Sequence, residues 1–383
     1  MIVNGFAFAG IHCGLKAGER PDLALIVADR PASCAGVFTT NRVVAAPVVQ
    51  SRALLPGRAQ VVVVNSGNAN ACTGAAGAAA AARTAEIAAE VVGCAPSLVQ
   101  VASTGVIGAP LPIGRLESGI PLAAEAAAPD GLDRFARAIM TTDTRPKVRV
   151  AQGPWTIAGA CKGAGMIHPN MATMLAFLVT DAAISPGDLD RIWRAVCDRS
   201  FNAITIDGDT STNDTALLLA SGDGPPLQGD DLAAFAALLE PVARELATDI
   251  VRDAEGGTKT IELTISGAAD QPDARAAAQA VALSPLVKTA LFGEDPNWGR
   301  IVAAAGRSGA IFEPGAVRLW IGDTLLYDRG VWQGAGAERA AHETMTDAEY
   351  AIRLDLGAGE AMRTIYTCDL SPEYVRINAD YRS

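Results

Sequence analysis

Apolar positions in the first hundred residues form short continuous runs, with one long alanine-rich stretch among them. The stretch at residues 75–92 stops at Gly93, so it predicts a helix that ends on a glycine. Strand, polar or glycine turn, and helix follow one another, which is the order of an α/β layered domain. Strands are predicted in four apolar or β-branched runs, at residues 23–28, 43–50, 61–64 and 99–102.

The same alternation continues through the second half of the chain. The Ser-Pro-Gly-Asp sequence at 185–188 predicts a helix start, because serine caps the first turn, proline fits it and an acid follows. That helix is predicted to end near Arg199. Residues 317–321 and 324–328 predict a hairpin. Further strands are predicted at 174–179, 201–206, 261–265, 351–355 and 364–369, and helices at 230–254 (interrupted at Pro241), 275–284 and 337–344.

Composition narrows the class of protein. The 383 residues are half hydrophobic and carry a net charge of -11 without a block of Lys or Arg, so a nucleic-acid role lacks its basic surface. Seven scattered cysteines, never spaced as C-x-x-C, indicate reduced thiols, and three distant histidines give little support to a metal site. No signal peptide and no apolar run of membrane length is found. We therefore expect a cytoplasmic protein that binds neither membrane nor nucleic acid.

The most informative motif is K-G-A-G-M-I-H-P-N-M-A-T-M-L at residues 162–175. It places Thr173 directly after Ala172, in a glycine-containing turn that leads into an apolar run. A chain cut at the amide of Thr173 gains a hydroxyl nucleophile and, beside it, an α-amine that titrates at roughly pH 7.7–8.0 and serves as its base. An internal threonine has no such partner. The alternative interpretation is a plain Gly/Pro turn before a buried strand.

Three other segments carry candidate chemistry. Ser103-Thr104-Gly105 follows a predicted strand and offers backbone N–H and hydroxyl donors to an oxyanion, although a plain turn has the same sequence features. The Thr-Thr-Asp-Thr sequence at 141–144 and Glu255 are each also typical of ordinary turns or exposed loops. The Asp-rich loop at 207–214 begins like a calcium loop but lacks its glycine and glutamate, so we interpret it as an ordered structural loop near the active site.

These motifs, together with S-T-G-V-I-G at 103–108, E-G-x-T-K at 255–259 and a C-terminal N-A-x-Y, resemble the ornithine acetyltransferase (bifunctional glutamate N-acetyltransferase) family from Gly5 to Ser383. The resemblance implies an α/β fold of layered sheets sandwiched by helices, of the self-processed N-terminal-nucleophile type. It also implies two fragments, residues 1–172 and 173–383, which stay associated because core strands come from both. The family typically pairs two such units into a heterotetramer.

The resemblance also assigns roles to particular residues. Cleavage falls between Ala172 and Thr173, Thr173 becomes the nucleophile, and Thr104 with Gly105 forms the oxyanion hole. One of Thr141 and Thr142 contacts substrate, and we favour Thr142. Ser383 stands where the family commonly has threonine, which keeps the hydroxyl. The implied substrate-binding residues are Thr142 or Thr141, Lys162, Thr173, Glu255, Asn378 and Ser383.

By the same resemblance, the reaction is a ping-pong transfer of the acetyl group of N2-acetylornithine to glutamate in arginine biosynthesis, through an acetyl ester on Thr173. The cycle needs no cofactor and no metal, although some family members also accept acetyl-CoA as a second acetyl donor. Three alternatives stay open from the sequence. They are a self-cleaving amidohydrolase or aminopeptidase of similar architecture, a specialised secondary-metabolite paralogue, and an uncleaved binding or scaffold protein.

Overall fold

A computed structural model describes residues 2–168 and 174–380. Its strands are β1 (Phe6–Ile11), β2 (Leu23–Phe38), β3 (Gly57–Asn68), β4 (Val99–Val106), β5 (Lys147–Gln152), β6 (Thr156–Lys162), β7 (Leu175–Thr180), β8 (Ile204–Thr205), β9 (Thr215–Ala220), β10 (Thr260–Ala268), β11 (Arg318–Ile321), β12 (Thr324–Asp328), β13 (Val331–Trp332), β14 (Glu349–Asp355) and β15 (Ala361–Cys368). Its helices are α1 (Ala46–Ala53), α2 (Gly74–Val92), α3 (Ile113–Glu125), α4 (Leu132–Ile139), α5 (Pro186–Arg199), α6 (Asp230–Arg252), α7 (Gln271–Ala282), α8 (Pro285–Phe292), α9 (Trp298–Gly306), α10 (Ala335–Met345) and α11 (Pro372–Ala379).

The chain divides into two compact units. The first contains the residues up to 202 together with 209–250, and the second contains 203–208 together with the residues from 251 onward. Each unit has its own sheet. Among the described residues, no helix is long and apolar enough to cross a membrane.

The sheet of the first unit interleaves strands from both sides of the predicted cleavage point. Its order is β4-β3-β2-β9-β7-β6-β5, and β1 pairs with β2. Strands β7 and β9, which follow residue 173, lie between β2 and β6, which precede it. A cut at that point would therefore leave each fragment hydrogen-bonded to the other within one sheet.

Helices cover both faces of this first sheet. Along β2, Leu25 belongs to one apolar cluster and Ile26 to another, because successive side chains of a strand point to opposite faces. Helices α2 and α3 contribute to the cluster that contains Leu25, and α4 contributes to the one that contains Ile26. The predicted arrangement of layered sheets sandwiched by helices is confirmed in this unit.

The second unit is built on a sheet of order β13-β12-β11-β14-β10-β15-β8. Along β14, Tyr350, Ile352 and Leu354 are buried, whereas Ala351 and Arg353 between them are exposed. The buried side chains pack with apolar residues of α7, α8, α9 and α10 in one cluster. Helices therefore cover one face of β14, and its alternating pattern follows from that arrangement.

Elements with explicit end signals were predicted correctly. Helix α2 ends at Gly93, which has a left-handed φ of 78°, and α5 begins after Ser185, whose side chain accepts a hydrogen bond from Asp188 N. The hairpin between β11 and β12 is also present, with Gly322 at a φ of 55°. In each case a capping or turn residue decides where the element begins or ends.

Three predicted elements are wrong. Residues 43–50 contain the start of α1 instead of a strand, because a proline in the first turn favours a helix. The strand predicted at 201–206 is reduced to β8 after a single 3-10 turn. Pro241 lies inside α6 without ending it.

Candidate active site

The predicted oxyanion segment lies at the end of β4, which pairs in parallel with β3. Thr104 is buried, and Gly105 has a φ of +133°, a conformation that side-chain-bearing residues rarely adopt. A Cβ at Gly105 would lie 2.3 Å from Gly67 C and 2.5 Å from Asn68 N. Glycine is therefore required here by the close approach of two backbones.

Lys162, the last residue of β6, lies beside this segment. Its ammonium Nζ is 3.5 Å from Thr104 Oγ1, although the two residues are 58 positions apart in sequence. Both side chains are buried. The structure thus brings together the predicted oxyanion threonine and the predicted substrate-binding lysine.

Asp143 connects this pair to the Thr-Thr-Asp-Thr segment. Its Oδ1 accepts hydrogen bonds from Lys147 Nζ at 2.6 Å and from Gly163 N at 2.7 Å, and its Oδ2 accepts one from Thr141 N at 2.9 Å. Thr141 and Thr142 are both half-buried, so the choice between them as a substrate contact stays open. Asp143 itself fixes the turn that carries both threonines.

The charges around Asp143 determine its protonation. Burial alone would raise the pKa of this carboxyl, but the positive charges of Lys162 and Lys147 and the Gly163 N–H bond outweigh burial and lower the pKa to about 2. Asp143 is therefore ionised at neutral pH. One carboxylate and two lysines leave a net positive charge, which suits an anionic ligand.

Lys16 is a neighbour that sequence reasoning missed. Its Nζ donates to Met140 O at 2.6 Å and to Pro21 O at 2.9 Å, so it ties the N-terminal turn to the residue before Thr141. Burial lowers the pKa of Lys16 to about 8, and the positive charge of Lys162 acts in the same direction. A lone lysine in a glycine-rich turn was the only local signal.

The polar loop at 207–214 also reaches this region through its last two residues. Asn213 Nδ2 donates to Ala69 O at 2.6 Å and to Ser103 O at 2.8 Å. Asp214 Oδ1 accepts a hydrogen bond from Met174 N at 3.0 Å. The loop thus contacts both the oxyanion segment and the start of β7.

Several predicted site residues lie outside the described part of the chain. These are Ala172 and Thr173, which form the predicted cleavage site, and Ser383 at the C-terminus. Within residues 2–168 and 174–380, no group of three or more His, Cys, Asp or Glu side chains is arranged to hold a metal ion.

The remaining predicted contacts form a separate polar pair in the second unit. Glu255 is buried, and its Oε2 accepts a hydrogen bond from Asn378 Nδ2 of α11 at 2.9 Å. The next residue, Gly256, has a φ of +67°, and a Cβ there would lie 2.4 Å from Tyr374 N. The close contact between this turn and α11 therefore requires glycine and positions Asn378 against Glu255.

A layered α/β fold that places the buried Thr104 hydroxyl beside a lysine, in a cluster of net positive charge, defines a protein whose site suits an anionic ligand. The chain belongs to the ArgJ family, whose model matches residues 7–383. The family resemblance inferred from the motifs is thereby confirmed.

The similarity to individual relatives extends over the whole chain. The arginine biosynthesis bifunctional protein ArgJ of Geobacter sulfurreducens is 50% identical over 393 residues, which cover 100% of each chain. That of Symbiobacterium thermophilum is 50% identical over 392 residues, covering 99% of this chain and 97% of the relative.

Solved structures are similar over part of the chain. The arginine biosynthesis bifunctional protein ArgJ of Bacillus halodurans is 38% identical with a TM-score of 0.52, covering 54% of this chain and 99% of its own. An ornithine acetyltransferase complexed with ornithine from Mycobacterium tuberculosis is 40% identical, with a TM-score of 0.42, and covers 44% of this chain and 92% of its own.

Proposed function

We propose that this protein transfers the acetyl group of N2-acetylornithine to glutamate in arginine biosynthesis. The observation that carries the proposal is the full-length match, at 50% identity, to a relative named for a bifunctional role in that pathway. The buried cluster of Thr104, Lys162 and Asp143 supports it, because the cluster supplies an oxyanion donor and a positive charge in one place.

Maturation comes first. The chain cuts itself between Ala172 and Thr173, giving fragments 1–172 and 173–383 and an N-terminal threonine with a free α-amine. Until that cut, the nitrogen of Thr173 is an amide and cannot act as a base. The interleaved strands of the first sheet favour fragments that stay together after the cut.

In the first half-reaction, Thr173 Oγ attacks the acetyl carbonyl of N-acetylornithine while the α-amine of Thr173 takes the hydroxyl proton. The Thr104 hydroxyl and the Gly105 N–H stabilise the oxyanion. The C–N bond then breaks, the proton passes from the α-amine to the departing ornithine nitrogen, and the acetyl group remains as an ester on Thr173.

In the second half-reaction, the neutral amine of glutamate attacks the carbonyl carbon of that ester. The bond between this carbon and Thr173 Oγ breaks, the α-amine of Thr173 passes the proton from the glutamate nitrogen to Oγ, and N-acetylglutamate leaves. Both substrates carry an α-carboxylate, and Lys162 supplies a positive charge that suits it. Glu255, held by Asn378, supplies the negative charge for the side-chain ammonium of ornithine. Thr141 or Thr142 and Ser383 are further substrate contacts.

This cycle uses no cofactor. The word bifunctional in the names of the relatives favours a second activity, and acetyl-CoA-dependent acetylation of glutamate is our candidate. The active species is a cytoplasmic heterotetramer of two N-terminal and two C-terminal fragments. Light scattering of the purified protein tests that assembly.

Replacing Thr173 tests the proposal directly. Thr173→Ala removes the nucleophile of both steps, so it should yield one full-length mass and no acetyl transfer, whereas Thr173→Ser keeps a hydroxyl and should retain both to some degree. Thr173→Ala protein that still exchanges acetyl would refute the assignment. Release of acetate from N-acetylornithine by the wild type at the same rate with and without glutamate would indicate an amidohydrolase.

A further inference from the structure

Asn213 and Asp214, the last two residues of the 207–214 loop, form hydrogen bonds with different parts of the first unit. The side-chain amide of Asn213 donates hydrogen bonds to the carbonyl oxygens of Ala69 and Ser103. Ser103 directly precedes Thr104. The side chain of Asn213 is itself held, because its Oδ1 accepts a hydrogen bond from Thr212 Oγ1 at 2.5 Å. The position of the oxyanion segment is therefore tied to this loop across 110 positions of sequence.

Asp214, the next residue, holds the backbone of Met174. Met174 N, the atom bonded to the carbonyl carbon of Thr173, donates to Asp214 Oδ1 at 3.0 Å. Met174 O accepts a hydrogen bond from Thr215 N at 3.3 Å, so residues 214 and 215 hold both backbone polar atoms of Met174. Met174 and Asp214 are fully or almost fully buried. The first described residue after the nucleophile is thus fixed on β9.

We propose that Asn213 and Asp214 form a positioning clamp that sets the oxyanion segment at Thr104 and Gly105 against Met174, the residue that directly follows the proposed nucleophile. The inference rests on the proposed function, because it takes Thr173 as the nucleophile. Neither residue is assigned a chemical step. The clamp acts through distance: acyl transfer requires the oxyanion donors about 3 Å from the reacting oxygen, and a displacement of about 1 Å costs about 100-fold in rate.

The environment of Asp214 indicates which property of its side chain matters. Complete burial raises the pKa of this carboxyl well above its usual range, against the opposing effects of the Met174 N–H bond and the positive charge of Lys162. The bond from Met174 N requires only an oxygen acceptor at the Oδ1 position. Asparagine has the same shape and the same acceptor, so Asp214→Asn preserves the clamp, whereas Asp214→Ala removes it.

The chain offers a matched control for each variant. Asp181 Oδ1 accepts a hydrogen bond from Thr156 N at 2.8 Å next to the opposite end of β7, so Asp181→Ala removes a similar bond without touching Met174. Asn41 Nδ2 donates to Thr210 O at 3.0 Å, so Asn41→Ala removes an amide bond to the same loop without touching β4.

The experiment measures the cleaved fraction by intact mass, and kcat and KM for N-acetylornithine, in the wild type and the five variants. We expect Asp214→Ala to leave most chains uncleaved, and Asn213→Ala to lower kcat by about 10-fold or more with KM little changed. Asp214→Asn, Asp181→Ala and Asn41→Ala should cleave and transfer within about 3-fold of the wild type. A structural defect alone would not spare Asp214→Asn or separate kcat from KM.

Two results would overturn the clamp. One is a loss in Asp214→Asn as large as that in Asp214→Ala, which would assign the role to the charge or the proton of the carboxyl. The other is normal cleavage and kcat in Asp214→Ala and Asn213→Ala. If Asp214→Ala does not fold by circular dichroism, Asp214→Leu replaces it, because leucine has the shape of asparagine without its acceptor. Wild-type protein that neither cleaves nor transfers acetyl refutes the proposed function instead.

Discussion

Asp143 and Asp214 are both buried acids of the first unit, but their surroundings shift their pKa values in opposite directions. Asp143 bonds to Lys147 and lies near Lys162, and these charges lower its pKa to about 2. The side chain of Asp214 is completely buried and accepts a hydrogen bond from Met174 N, and burial raises its pKa well above its usual range. The positive charges of the lysines outweigh burial at Asp143, whereas burial outweighs the opposing effects at Asp214.

This difference separates two tasks around the same oxyanion segment. The Asp143 network keeps two lysines buried and charged, and such a network favours an anionic substrate group. Asp214 instead positions the backbone, because its Oδ1 accepts the hydrogen bond of Met174 N. Substitutions that change charge and substitutions that change shape should therefore affect the two regions differently.

The largest expected effect on stability comes from removing the Asp143 carboxylate. Asp143→Ala leaves Lys147 without its 2.6 Å partner, so we expect a loss of about 3–5 kcal/mol in the free energy of unfolding, measured by urea denaturation. Asp214→Ala removes one acceptor of a neutral bond and should cost about 1–3 kcal/mol. Equal losses of unfolding free energy in Asp143→Ala and Asp214→Ala would contradict the proposed difference between the two carboxyls.

The next effect concerns the shape of the oxyanion segment. Gly105→Ala places a Cβ 2.3 Å from the carbonyl carbon of Gly67, so Thr104 and residue 105 must move. We expect kcat to fall by about 100-fold or more in acetyl-transfer assays. Gly108→Ala is the matched control, because Gly108 also has a positive φ, +87°, but open space where its Cβ would lie. Similar losses in both variants would mean that backbone strain, not the contact with β3, is responsible.

A smaller effect should appear in the free energy of unfolding at acidic pH. The folded-state pKa of Asp143 lies below its ordinary value of 3.8, so its contribution to stability is present above about pH 4 and is lost as pH falls toward 2. The shift corresponds to about 2 kcal/mol. Unfolding curves between pH 5 and 2 should therefore converge for wild type and Asp143→Asn, and parallel curves would count against an ionised Asp143.

The smallest effect is the pH dependence of stability at Asp214, which has the opposite sign to that at Asp143. The folded-state pKa of Asp214 is raised, so above about pH 4 the unfolded chain releases its proton more readily, and this group's contribution to stability falls as pH rises. Asp214→Asn has no proton to lose. Its thermal unfolding temperature should equal or exceed that of the wild type, with a gain that increases from pH 5 to pH 8. A gain that stays constant over this range would show that the folded-state pKa of Asp214 is not raised.

Much of the fold could be predicted where single residues mark the ends of elements. Gly93 after α2, Ser185 before α5 and the glycine between β11 and β12 all act through local backbone geometry, which sequence displays. The strand predicted at 43–50 failed for a related reason. The apolar run at these positions is typical of a strand, but Pro47 in the first turn of α1 is a local signal for a helix.

The site could be predicted only in part. Motifs indicated Thr104, Lys162 and Glu255, because each stands in a short sequence that resembles a known family. Lys16 carries no comparable local signal, and Asn213 and Asp214 belong to a polar loop that the sequence predicts to be ordered near the active site without giving it a chemical task. Their contacts to Met140, Ser103 and Met174 span 124, 110 and 40 positions, so only the sheet order brings those partners together.

The most direct test of the account is the intact mass of the purified protein before and after incubation with N-acetylornithine in the absence of glutamate. We expect two fragments whose masses match a break between Ala172 and Thr173, and the C-terminal fragment should then gain the mass of one acetyl group. Addition of glutamate should remove that group. A single full-length mass, or two fragments that never acquire an acetyl group, would contradict the assignment of Thr173 as an N-terminal acyl-transfer nucleophile.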